Sequence, residues 1–62
     1  MNRIKEFRKK KRLTQYELGR LVGKYQSWVW KAEHGYYPLK EIDKEAIARV
    51  LGVSVEKIFP TD

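Results

Sequence analysis

The stretch that decides the fold runs from residue 14 to residue 35: Thr14-Gln15-Tyr16-Glu17-Leu18-Gly19-Arg20-Leu21-Val22-Gly23-Lys24-Tyr25-Gln26-Ser27-Trp28-Val29-Trp30-Lys31-Ala32-Glu33-His34-Gly35. It opens on Thr-x-x-Glu, the pattern in which a threonine hydroxyl and a glutamate carboxylate each satisfy a free N–H at a helix start. Leu13, just before it, is placed as a staple. Leu18, Leu21 and Val22 predict an inward stripe, and Gly19 beside them leaves room for another helix to approach closely. Gly23 predicts a left-handed stop. A further helix is predicted from about Tyr25 to Glu33, with Gly35 beyond it and Val29 and Ala32 as core positions. At about 100° per residue, the face opposite those two centres on Ser27 and Lys31, flanked by Gln26, Trp28 and Trp30. Two helices joined by so short a turn around Gly23 form a helix-turn-helix over about residues 14–33.

Working outward, helical spacing recurs and period-two alternation is nowhere sustained. Asn2 is an acceptable N-cap for a first helix carrying Ile4 and Phe7 inward, with the stem of Lys11 on the same face. Lys10, Lys11 and Arg12 suit the negative end of its dipole. After a loop of Tyr36, Tyr37 and Pro38, a fourth helix is predicted from about Lys40 to Leu51, with Ile47, Ala48 and Leu51 inward and Gly52 at its end. Ser54 is placed to cap a last short helix bearing Val55, Ile58 and Phe59, which Pro60 stops. The expectation is an all-α single domain over residues 1–62, five short helices around one small core.

The chain has 62 residues and no cysteine, which excludes disulfides, cysteine zinc sites and thiol nucleophiles. His34 is the one histidine, too few for a metal site of the usual kind. No nucleophile–base set and no phosphate-cradling glycine loop is present. Glu41 and Glu45, four apart, read as a solvated pair. Neither an enzyme nor a cofactor or metal is expected. No apolar run is long enough to span a membrane and none resembles a signal peptide, so a cytoplasmic protein is expected.

The formal charge of +6 is uneven. Residues 1–24 hold nine Lys and Arg against two Glu, a balance of +7, and residues 25–62 hold five against six, a balance of −1. One basic face beside a near-neutral remainder is a pattern of nucleic-acid binders. In a helix-turn-helix the second helix enters the DNA major groove and reads bases toward its N-terminus.

These residues resemble a known family. Thr14 to Gly23, followed by Val29, Lys31, Glu33 and Gly35, is similar to the helix-turn-helix of the Cro and phage-repressor type, the xenobiotic-response-element family. The likeness extends through Ile47-Ala48, Leu51-Gly52-Val53-Ser54-Val55 and Ile58-Phe59, so it covers the chain from about Ile4 to Phe59. It implies a lambda-repressor-like fold and a sequence-specific, double-stranded DNA-binding transcriptional regulator, a repressor above all. Such a protein works as a homodimer on a palindromic operator, in a prokaryotic cell or encoded by a phage.

The resemblance also implies residue roles. Gln26, Ser27, Trp28 and Lys31 would contact bases. Gln15, Lys24, Tyr25, Arg8 and Tyr36 would contact phosphates. Arg8 and Glu33 would form a structural ion pair between helix 1 and the end of helix 3. Ile58 and Phe59 are the candidate dimer surface. The sequence departs from the family pattern at Arg12, where a glycine usually ends helix 1, at Tyr25, where Ser or Thr usually caps helix 3, and at Trp30, where a small or polar residue is usual.

Five of the eight aromatics, Tyr25, Trp28, Trp30, Tyr36 and Tyr37, fall close together. Trp28 and Trp30 cannot both face a core set by Val29 and Ala32. One reading folds a tryptophan over the Tyr36–Tyr37 loop, another puts it against thymine methyls or the DNA backbone, and a third makes the cluster a protein interface. The third supports an alternative function, an antitoxin or adaptor with a protein partner. If the 62 residues are the natural chain, control is expected to come from concentration, partner binding or degradation.

Overall fold

The computed structural model describes residues 2–36 and 38–60; Tyr37, placed above in the loop with Tyr36, lies outside the described residues. Five helices follow in order: α1 (Ile4–Lys10), α2 (Gln15–Val22), α3 (Gln26–Glu33), α4 (Glu41–Leu51) and α5 (Val55–Ile58). Among the described residues all regular structure is helical, and no helix is long and apolar enough to cross a membrane.

The core is small and contributed by every helix. Ile4, Leu18, Val29, Ala32, Ile47, Ala48, Leu51 and Ile58 are buried, and Phe7, Leu13, Val22, Trp28, Leu39 and Phe59 are among those packed around them. Leu21, expected inward, is 59% exposed. Leu18 and Val22 set the inward direction of α2, and Leu21 lies about 60° from Leu18 on the side away from Val22, about 100° from Val22. Ile58, expected on a dimer surface, is fully buried in the core. The carbonyl of Ile58 also accepts from the N–H of Arg3 at 2.8 Å, which ties the start of the chain to α5. Phe59 is half-buried, with Lys44 Nζ 5.5 Å from its ring centre.

The helix starts are unequal. α2 has the full reciprocal cap: Thr14 Oγ1 accepts from the N–H of Glu17 at 3.0 Å, and Glu17 Oε1 accepts from the N–H of Thr14 at 2.8 Å. Asn2 acts slightly outside its expected position. Arg3 is the N-cap residue of α1, yet Asn2 Oδ1 accepts from the N–H of Ile4 at 3.1 Å while Asn2 Nδ2 donates to the carbonyl of Ala32 at 2.8 Å. Ser54 precedes α5 without a side-chain capping bond, a departure from the sequence expectation.

The helix ends are alike. At α1, α2, α3 and α4 the chain closes with the same pair of backbone bonds, one spanning five residues and one spanning three. After α2 these are Lys24 N–H to Gly19 O at 2.8 Å and Gly23 N–H to Arg20 O at 3.3 Å. After α1 they are Leu13 N–H to Arg8 O at 3.1 Å and Arg12 N–H to Lys9 O at 2.9 Å. This Schellman closure needs a left-handed residue. Gly23, Gly35 and Gly52 supply it at φ 75°, 69° and 71°, and Arg12 supplies it at φ 58°. A side chain there costs about 1–2 kcal/mol relative to right-handed backbone.

Gly19 fixes the turn between α2 and α3. A Cβ on it would lie 2.7 Å from the carbonyl oxygen of Lys24 and 3.3 Å from the backbone of Tyr25. The close neighbour is thus the turn backbone, where the sequence pointed to another helix.

Two substitutions test these backbone constraints by urea denaturation. Arg12→Gly is expected to stabilise by about 0.5–1 kcal/mol, the relief of strain less the entropy glycine adds to the unfolded chain. Gly19→Ala is expected to destabilise by about 1–3 kcal/mol through overpacking against the turn. A lower midpoint for Arg12→Gly, or an unchanged one for Gly19→Ala, would contradict the respective assignment.

Candidate functional site

A buried ion pair anchors the site. Arg8 is 7% exposed, and its Nε donates to Glu33 Oε2 at 2.6 Å. Arg8 Nη2 reaches Glu33 Oε1 at 3.4 Å, and Nη1 donates to the carbonyl of Leu13 at 2.8 Å. One guanidinium therefore joins α1, the α1–α2 connection and the end of α3.

From Glu33 the chain of bonds runs outward. Gln15 Nε2 donates to Glu33 Oε1 at 3.0 Å, and Gln26 Nε2 reaches Gln15 Oε1 at 3.4 Å. Each orientation follows from chemistry. A carboxylate only accepts, so Gln15 must turn its NH2 to Glu33 and its carbonyl outward. That carbonyl only accepts, so Gln26 must turn its NH2 to Gln15. Gln26 is exposed, and one N–H and its carbonyl remain for a ligand.

Two concavities meet at the start of α3. The first, about 330 Å³, is lined by Gln15, Gln26, Ser27, Trp30 and Lys31. These α3 residues are i, i+1, i+4 and i+5, one continuous face. The second, about 560 Å³, lies on the α2 side and is lined by Tyr16, Arg20, Lys24, Tyr25, Gln26 and Ser27. It combines two cations with two exposed tyrosines, Tyr16 at 58% and Tyr25 at 86%. Tyr25 is the N-cap residue of α3 and its side chain makes no capping bond; its carbonyl accepts from the N–H groups of Trp28 at 3.1 Å and Val29 at 3.3 Å.

The geometry sorts the residues expected from sequence. Gln26, Ser27 and Lys31 come together on one exposed face. Trp28 does not join them. It is half-buried and packed against the core, with Lys24 Nζ 5.2 Å from its ring centre, because its place on α3 is about 100° round from Ser27 toward Val29. Trp30 takes the place expected for Trp28. The phosphate contact expected of Arg8 is corrected as well, because its guanidinium is buried and engaged with Glu33 and Leu13. The Arg8–Glu33 pair itself is present as expected. Gln15 is half-buried with its amide committed in both directions, which leaves one N–H for a phosphate. Lys24 is exposed, its ammonium 3.8 Å from Asp43 Oδ1.

Sequence reading missed Tyr16 and Arg20. The spacing that brings them near Lys24 and Tyr25 spans the turn, so no single helical period reveals it.

Beyond the first concavity, Trp30, His34 and Tyr36 form a stack. Trp30 and His34 rings lie 3.9 Å apart at 22°, and Trp30 and Tyr36 lie 5.5 Å apart at 21°. His34 Nδ1 is also 2.7 Å from the carbonyl of Trp30. Tyr36, expected on a phosphate, is 67% exposed at the rim of this stack.

Elsewhere α1 carries an exposed pair, Arg3 Nε to Glu6 Oε1 at 2.8 Å, with Lys10 Nζ 3.5 Å from Glu6 Oε2. The Arg3 hydrogen bond, aided by the charges of Arg3 and Lys10, holds the Glu6 carboxyl at about 2. Any stability it adds is present above the ordinary carboxylate range and is lost as pH falls through about 2.

The sequence model of a family described as a helix-turn-helix domain matches residues 2–58. Comparison with curated proteins finds no match.

Removing one partner of a buried pair leaves the other charged and desolvated, at about 3–5 kcal/mol. Glu33→Ala is therefore expected to leave most of the chain unfolded at room temperature, since a core this small supplies only about 3–5 kcal/mol. Glu6→Ala, which removes an exposed pair, is expected to leave it folded. Far-ultraviolet circular dichroism with thermal melting separates the two, and equal melting points would contradict the anchoring role of Arg8–Glu33.

Proposed function

The chain belongs to this helix-turn-helix domain family, in the Cro-like and xenobiotic-response-element group, and we propose that it is a sequence-specific, double-stranded DNA-binding transcriptional regulator, acting as a repressor. In this reading α3 lies in the major groove and reads one operator half-site. The observation that carries it is the ordered amide chain from Glu33 through Gln15 to Gln26. It leaves Gln26 with one donor and one acceptor facing outward, the complement of adenine N7 and N6–H. Lys31, one turn on, offers a donor to guanine or a phosphate, and Ser27 serves either a base or a phosphate.

Grip comes from the second concavity. Arg20 and Lys24, with the N–H groups at the start of α3, face the phosphate strand bordering the groove, and Tyr25 and Tyr16 pack on its sugars. The basic residues release counterions, so affinity falls with salt. A unit of this size covers about half an operator, so a homodimer on a palindrome is proposed, with half-sites roughly 34–36 Å apart. Ile58 is buried, so the dimer contact must come from other residues. The resemblance to the Cro-like group supports a location in the cytoplasm of a prokaryotic cell. The proposed activity is binding; no catalytic role and no cofactor are proposed.

The exposed stack of Trp30, His34 and Tyr36 supports a second reading, an antitoxin or adaptor in which this patch meets another protein.

Selection of bound duplexes from a random pool, followed by titration in anisotropy, tests the leading reading. Gln26→Ala is expected to weaken binding to the selected site by about 1–3 kcal/mol and to relax preference at one position. Arg20→Ala is expected to weaken all duplexes alike and to reduce the salt slope by about one. Unchanged affinity of both Gln26→Ala and Lys31→Ala for the selected site would refute the assignment of α3.

A further inference from the structure

We propose that Trp30 is a sequence-reading residue, and that the group it recognises is the C5-methyl of a thymine within the half-site. The inference rests on the DNA reading of α3 given above and assigns it a second kind of contact, apolar where Gln26 and Lys31 are polar.

Placement comes first. Trp30 is four residues from Gln26 and three from Ser27, so it shares their face, and it lines the same concavity as Gln15, Gln26 and Lys31. It is 42% exposed, although large aromatics are favoured in contact with other groups. The core does not require it. Trp28 is the tryptophan packed against the buried cluster.

Rigidity comes second. The Trp30 ring stacks on His34 at 3.9 Å and beside Tyr36 at 5.5 Å, with all three rings close to parallel. A braced ring has little rotamer freedom to lose on contact, which removes a cost that flexible side chains incur in binding.

Chemistry then chooses the target. Base edges in the major groove present hydrogen-bond donors and acceptors, and the thymine methyl is the apolar feature among them. An indole pressed on a polar edge would strip its water without replacing the bond. Pressed on a methyl, it buries apolar surface on both sides. A protein partner covering the same concavity would have to satisfy Gln26 and Lys31 as well, whereas base edges beside the thymine do so directly.

Deoxyuridine lacks only the methyl, so it isolates this contact. Each thymine of the selected operator is replaced singly by deoxyuridine, and binding is measured for the wild type, Trp30→Ala and Trp30→Phe, with melting curves for each. In the wild type one thymine per half-site is expected to show a loss of about three- to fivefold, the size of burying one methyl. Trp30→Ala should bind the thymine and uracil duplexes equally. Trp30→Phe should keep part of the difference, which preserves the test if the alanine variant fails to fold. The proposal is overturned if no uracil substitution weakens the wild type, or if the penalty persists undiminished in both variants. If selection enriches no sequence at all, it is the DNA reading of α3 that fails, and this inference with it.

Discussion

The arrangement of this molecule depends on the buried pair of Arg8 and Glu33. Desolvating two charges costs several kcal/mol each, and such a pair often contributes little net stability. What it contributes here is position. Arg8 has three polar connections, two to Glu33 and one to the Leu13 carbonyl, and each lies on a different segment from its own. Moving α3 along its axis would strand a carboxylate in a dry interior, and moving the α1–α2 connection would strand a carbonyl. Apolar packing alone is non-directional and could not impose this register. The carboxylate then orders two amides in succession, so a constraint set in the core reaches the exposed end of Gln26.

Charge and the proposed reading face occupy different parts of the molecule. Most of the +6 excess lies in α1, its exit and the α2 side of the turn, while Lys31 is the charged residue on the outer face of α3. Part of the basic surface is engaged internally. Lys10 sits beside Glu6, Lys24 beside Asp43, and the Lys11 ammonium lies 3.4 Å from where a Cβ on Gly52 would stand, at the negative end of α4. Arg20 lines the turn concavity with no ion pair among the described residues. A net-charge figure thus overstates the charge free to meet a polyanion and says nothing of which face holds it.

Local signals in the sequence carried far and long-range ones did not. The capping box at Thr14 and Glu17, the stops at Gly23, Gly35 and Gly52, and the inward set of Ile4, Leu18, Val29, Ala32, Ile47, Ala48 and Leu51 all follow from spacing and residue chemistry, and the structure has them. The left-handed turn at Arg12 was signalled only as a departure from a family habit; the backbone keeps the habit and the side chain bears the strain. The pairing of Arg8 with Glu33, 25 residues apart, has no periodic signature and came from resemblance alone. Leu21 and Trp28 failed for one reason. An apolar or aromatic residue near the edge of a helical stripe falls on either side of it, and only the neighbouring helix decides which. The dimer role of Ile58 came from resemblance alone, and it failed because the four-residue α5 turns this side chain into the core cluster that holds Ile4.

The places where local rules are broken converge. α2 starts with a complete cap, whereas α3 starts on a tyrosine that caps nothing and stands 86% exposed. Tyr16 and Trp30, both exposed, line the two concavities that share Gln26 and Ser27. Substituting a serine for Tyr25 would satisfy α3 better by about 1 kcal/mol, and polar residues at 16 and 30 would suit an isolated surface. Sequences that specify a fold agree with it at every level except where function requires otherwise. Here the disagreements border one edge of one helix, and the core behind that edge holds its register by a buried ion pair rather than by apolar packing alone. A face that departs from local rules yet is rigidly mounted fits the reading surface proposed for α3, because the same buried pair that fixes the helix also orders the amide of Gln26 that the face presents.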